Sequence, residues 1–71
     1  MSAPTNAGRA ASADAAIFAY MSRTRCDCEE SLGDLLCDLM HWADKCRFDF
    51  AAELYRARRH YAAEVAEGGG R

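Results

Sequence analysis

Three features of this 71-residue sequence predict an all-α fold, a small three-helix bundle centred on a helical hairpin. Apolar residues recur at helical spacing in two adjacent stretches, about 31–46 and 49–67. The break between them, near Lys45 to Phe48, is short enough to force an antiparallel helix pair. A third, alanine-rich stretch over about 12–22 precedes the pair and supplies a short N-terminal helix for its apolar face.

Residues 1–11 are small and polar, with Pro4 and Gly8, and read as a flexible arm. Ser12 can cap the first helix, where Ile17, Tyr20 and Met21 form a stripe and Ala13, Ala15, Ala16 and Ala19 permit close packing. Arg23 to Glu30 changes from basic to acidic around Cys26 and Cys28, and reads as a connector. The second helix opens either at Ser31, with Asp34 three residues on, or one turn earlier at Asp27 with Glu30. Its apolar side carries Leu32, Leu35, Leu36, Leu39, Met40, Trp42, Ala43 and Cys46, opposite Gly33, Asp34, Cys37, Asp38, His41, Asp44 and Lys45. The third helix opens at Asp49, an N-cap type, and puts Phe50, Leu54, Ala57, Tyr61 and Val65 on its buried stripe. A glycine-rich tail, 68–71, ends it, so residues 12–67 are expected to form one helical domain.

A single domain of this size sits near the lower limit for a self-sufficient core, so the chain is expected to recruit a third helix, a metal or a second copy of itself. A net charge of −2 and a pI near 5.5 argue against generic nucleic-acid binding, which wants a basic face. The apolar run from Ala15 to Met21 is far too short to cross a membrane, and the N-terminus lacks the basic, apolar and cleavage regions of an export signal. A cytoplasmic protein is expected, whose four cysteines are thiols or metal ligands before they are disulfides.

Cys26, Cys28, Cys37 and His41 are the candidate metal set. Cys37 and His41 stand four apart on the polar side of one helix, and the C-x-C connector can bring two more ligands for tetrahedral zinc. That spacing is less usual for zinc than C-x-x-C, and free thiols beside a surface histidine are the simpler reading, so no cofactor is assigned. Cys46, on the apolar side, reads as a small core residue. Nothing supplies the third orienting group that Cys37 and His41 would need for nucleophilic catalysis, so the chain is not expected to be an enzyme.

Two charged faces are candidate binding surfaces. Arg56, Arg58, Arg59 and His60 cluster on the third helix beside Tyr55 and Tyr61, a pattern that can contact nucleic acid. The spacings Glu53 to Arg56 and His60 to Glu64 instead suit an ordinary salt-bridged face. The second helix is acidic on its outer side through Glu30, Asp34 and Asp38, with His41 among them, and suits a basic protein surface. Buried anchors such as Trp42 or Tyr55 would have to carry most of the affinity.

The run Asp34 to Trp42, followed by Asp49-Phe50, Leu54, Ala57, His60-Tyr61 and Glu64, resembles a group of short uncharacterised proteins from bacterial plasmids, prophages and related mobile elements. Their pattern is D-L-x-x-W, then D-F, then H-Y-x-x-E, and the resemblance covers about half the chain, Asp34 to Glu64. It implies a helical hairpin and brings no catalytic or binding residues with it. Small mobile-element proteins without an enzyme signature often bind and block a host machine, as anti-CRISPR proteins do. The leading expectation is therefore a non-catalytic inhibitor that docks Glu30, Asp34, Asp38 and His41 on a host complex such as a CRISPR effector subunit, with Tyr55, Arg56 and Arg59 as further contacts. The alternatives are a zinc-stabilised regulator binding DNA through Arg56 and Arg59, and a structural module that homodimerises.

Overall fold

The computed structural model describes residues 4–68, and these form three helices of equal length: α1 (Asn6–Thr24), α2 (Cys28–Cys46) and α3 (Phe50–Gly68). The three pack against one another as the small all-α bundle that the periodicities predict. Each start is fixed by a short polar side chain that satisfies an orphan N–H group. Thr5 accepts from the Gly8 amide at 3.0 Å, Asp27 from Glu30 at 3.0 Å and Asp49 from Ala52 at 3.1 Å.

The first helix departs most from expectation, beginning at Asn6 rather than Ser12, so most of the predicted arm is helical. Thr5 sets the start behind Pro4, and the alanines that follow are the best helix formers, which outweigh the single Gly8. Ser12 lies inside the helix, its hydroxyl donating back to the Gly8 carbonyl at 3.2 Å. For α2, the earlier start at Asp27 prevails; Ser31 is internal and buried, donating to the Cys28 carbonyl at 2.9 Å. Within the predicted tail, Gly68 is still helical and residues 69–71 lie outside the described part.

Both inter-helix joints stop the preceding helix with an arginine in the left-handed region, Arg25 at φ 65° and Arg47 at φ 62°. At the second joint the Arg47 amide returns to the Ala43 and Asp44 carbonyls, and the Phe48 amide reaches the Ala43 carbonyl at 2.8 Å. This tight reversal lays the Phe48 ring on Trp42, centroids 5.5 Å apart and planes 24° from parallel. At the other end of α3, the chain closes on its own beginning. Asn6 donates to the Glu64 carbonyl at 3.1 Å and Arg9 pairs with the Glu64 carboxylate at 3.4 Å. Glycine suits position 68, because a Cβ there would stand 2.9 Å from the Asn6 amide nitrogen.

What this frame leaves uncovered is unusual. Among the described residues only Ser31 and Ala43 are buried. The accessible surface is 6138 Å², where a compact protein of 7.8 kDa exposes about 4400 Å². The radius of gyration, 14.0 Å, likewise exceeds the about 11 Å of a compact chain of this length. Ile17, Tyr20 and Met21 of α1 and Leu35 of α2 are half-buried, as their stripes predict. Trp42, Tyr61 and Cys46, which the periodicity places on buried stripes, are instead exposed, the first two by 53% and 69%. Their helices are amphipathic as expected, but no neighbour in this chain covers those parts of the apolar face.

Candidate functional site

Helix α2 presents the most extensive uncovered apolar surface. Leu32, Leu36 and Met40 stand four residues apart, so their side chains line up as one ridge along the helix. They are 63%, 42% and 51% exposed, although their residue types are ones that fold inward. Leu39 and Trp42 flank the ridge on its C-terminal side. There the α2–α3 joint forms a shallow apolar groove of about 310 Å³, lined by Leu39, Trp42, Ala43, Phe48 and Phe50 and rimmed by Glu53 and Arg56. Gly33 lies beside Leu36, and a Cβ placed on it would meet nothing within 4 Å. Among the described residues, nothing crowds the space that a side chain there would fill.

The outer side of α2 is acidic as predicted, with Glu30, Asp34 and His41 exposed. Asp38 is different: it accepts a hydrogen bond from the Tyr20 hydroxyl of α1 at 2.5 Å. That bond, with the negative charges of Asp38 and Asp34 nearby, raises the Tyr20 hydroxyl to about 12. So Asp38, itself exposed, ties α1 to α2, and the exposed acids of α2 that make no such bond are Glu29, Glu30, Asp34 and Asp44. No local pattern links positions 20 and 38, so sequence periodicity could not have found this bond.

On α3, Glu53 and Arg56 form the expected pair at 2.8 Å. The expected partner of His60, Glu64, is taken by Arg9. The Arg59 guanidinium lies 6.0 Å from the Tyr55 ring centroid, the range of a cation–π contact. Arg56, Arg59 and His60 line an open groove of about 610 Å³ with Arg9, Glu64 and Glu67. Two carboxylates, Glu64 and Glu67, and two paired arginines, Arg9 and Arg56, dilute the positive charge of that groove, and Tyr61 is not among its lining residues. The basic cluster is therefore part of a mixed-charge surface.

The candidate zinc set is not brought together. Cys26 accepts from the Thr24 hydroxyl at 3.2 Å, while Cys28, Cys37 and His41 are exposed. Among the described residues, no three histidine, cysteine or acidic side chains stand close enough to hold a metal ion. No described helix is long and apolar enough to cross a membrane. The sequence matches no family model, and no curated protein or solved structure matches it.

Proposed function

We propose that this chain is a non-catalytic protein–protein interaction module, and that its working surface is the α2 ridge of Leu32, Leu36 and Met40 with the adjoining Trp42–Phe48 groove. The observation that carries this reading is the exposure of the ridge. Contiguous apolar surface on a small protein marks a contact site, because leaving it in water forgoes the main favourable term of folding and association. Fully covering a Leu or Met side chain contributes about 1.5–3 kcal/mol, so three that are about half exposed hold several kcal/mol in reserve. Trp42 and Met40 are residue types enriched at interface centres.

The narrower form of the proposal is the inhibitor of a host defence complex that the mobile-element resemblance suggests, acting in the bacterial cytoplasm. Its support is the exposed acidic side of α2, Glu30 and Asp34, which lies round the helix from the ridge and would steer the module toward a basic surface such as a nucleic-acid channel. Tyr55, Arg56 and Arg59 on α3 stand farther round and serve as rim contacts. Asp38, engaged with Tyr20, serves the fold rather than the partner.

The test is capture by immobilised chain from a lysate carrying a CRISPR effector complex. Stoichiometric capture of an effector subunit is expected, abolished by Leu36→Glu with Met40→Glu and slowed by Glu30→Lys with Asp34→Lys. Capture that survives the ridge substitutions overturns the ridge as the contact. An effector left in the flow-through retires the inhibitor form.

A further inference from the structure

Resting on the ridge as the binding surface, we infer that in the free protein its occupant is a second copy of this chain, docked antiparallel across a two-fold axis at Leu36, which any host partner of the ridge has to displace. Three independent features of α2 point to a copy of itself. The first is the spacing. In an isologous contact each surface must complement itself. Leu32 and Met40 stand equally far on either side of Leu36. An antiparallel copy therefore sets Leu36 against Leu36 and Leu32 against Met40, with no apolar side chain of the ridge left over.

The second is charge. Helix α2 is acidic in its first turn, at Glu29 and Glu30, and ends on Lys45 followed by Arg47. Among the described residues, only Arg9 with Glu64 and Glu53 with Arg56 form ion pairs, so these end charges are unanswered within the chain. An antiparallel copy opposes the helix dipoles and lays the acidic first turn of each α2 alongside the end where the other copy's chain turns at Arg47; Lys45 itself lies on the side of α2 away from the ridge. A parallel copy would stack like on like.

The third is area and closeness. A compact particle of twice this mass exposes about 7300 Å². Twice the 6138 Å² of one chain exceeds that by about 5000 Å², so the surface this fold leaves open is ample for the about 1,200–2,000 Å² that a stable pair of proteins buries. Gly33, one turn before Cys37 and beside Leu36, has open space where its side chain would be. A glycine in the middle of an exposed helix weakens it without local benefit. Against a second backbone, the missing side chain lets the two α2 helices approach closely.

The experiment is sedimentation equilibrium on the full chain up to about 100 μM, a range that resolves micromolar association, with circular dichroism on the same samples. A dimer is expected. Leu36→Glu sets two carboxylates against each other at the axis and should raise the dissociation constant about a hundredfold or more. Because Leu36→Glu can also disturb folding, Gly33→Ala is the second variant: it strengthens the isolated helix, so helicity holds while dimerisation weakens about tenfold. A monomer throughout the range overturns the second copy and leaves the ridge as the surface for a different protein. A dimer unchanged by both substitutions overturns the ridge itself, and with it the functional reading above.

Discussion

Replacing Arg47 with glycine should stabilise the protein, and the size of the effect follows from the joint it closes. Arg47 sits at φ 62° and ψ 35° with its amide already bound to the Ala43 and Asp44 carbonyls. In that left-handed well a Cβ costs about 1–2 kcal/mol, because it crowds the following carbonyl. Glycine removes the crowding and keeps both hydrogen bonds, but brings about 0.5–1 kcal/mol of extra chain entropy to the unfolded state. The net gain is about 0.5–1 kcal/mol, which for a domain of 60–100 residues moves the melting midpoint up by roughly 2–8 °C. The assay is a thermal melt followed by circular dichroism, all variants at one protein concentration because association shifts the midpoint. Arg47→Ala is the control: it removes the same charge and stem but keeps the Cβ, and should gain nothing. If alanine stabilises as much as glycine, the dihedral is not the cause, and the reasoning fails in favour of a side-chain effect.

Other expectations follow from the same geometry. The Tyr20 hydroxyl is held at about 12, above its ordinary value near 10. The unfolded chain therefore loses that proton first, and the contribution of this bond to stability is present below about pH 10 and lost as pH rises through about 12. Tyr20→Phe should flatten that limb of a pH–stability profile, and an unaltered limb would mean that other groups govern it. Asp27→Ala and Asp49→Ala should each cost about 1 kcal/mol in a denaturant titration, since each leaves an N-terminal amide without its acceptor. Glu53→Gln should change stability by less than about 0.5 kcal/mol, because the pair it makes with Arg56 is exposed.

The number and order of helices were legible because the signals for them are local. Caps at Asp27 and Asp49, and apolar spacing in α2 and α3, act within a few residues and so can be read from the chain. The start of α1 was misplaced for a local reason as well: Pro4 and Gly8 suggest an arm, whereas Thr5 and the alanines behind it make a helix. The ties that hold the helices together were not legible. Tyr20 to Asp38, and Asn6 and Arg9 to Glu64, join positions far apart in sequence, and nothing in either local pattern announces the other partner. That is also why the pattern of α2 alone shows Asp38 as an exposed acid and not as the acceptor of the Tyr20 hydroxyl.

An apolar stripe states that a helix face must be covered, but it does not state by what. In α1, Ile17, Tyr20 and Met21 are half covered from within the chain, and the stripe is a core feature in the ordinary sense. In α2 and α3 the same kind of pattern leaves Leu32, Met40, Trp42 and Tyr61 at least half exposed, so the inward-facing residues of the sequence outnumber the surface available to receive them. A chain of this length can form three full helices or a closed core of shorter ones, and this one spends its residues on helix length. Three helices of equal length meeting at capped joints, with Glu64 fastened back to Asn6 and Arg9, leave the α2 ridge facing outward. A surface ordered in advance loses less entropy when a partner arrives. The apolar area that the core does not take up is the area left for an interface.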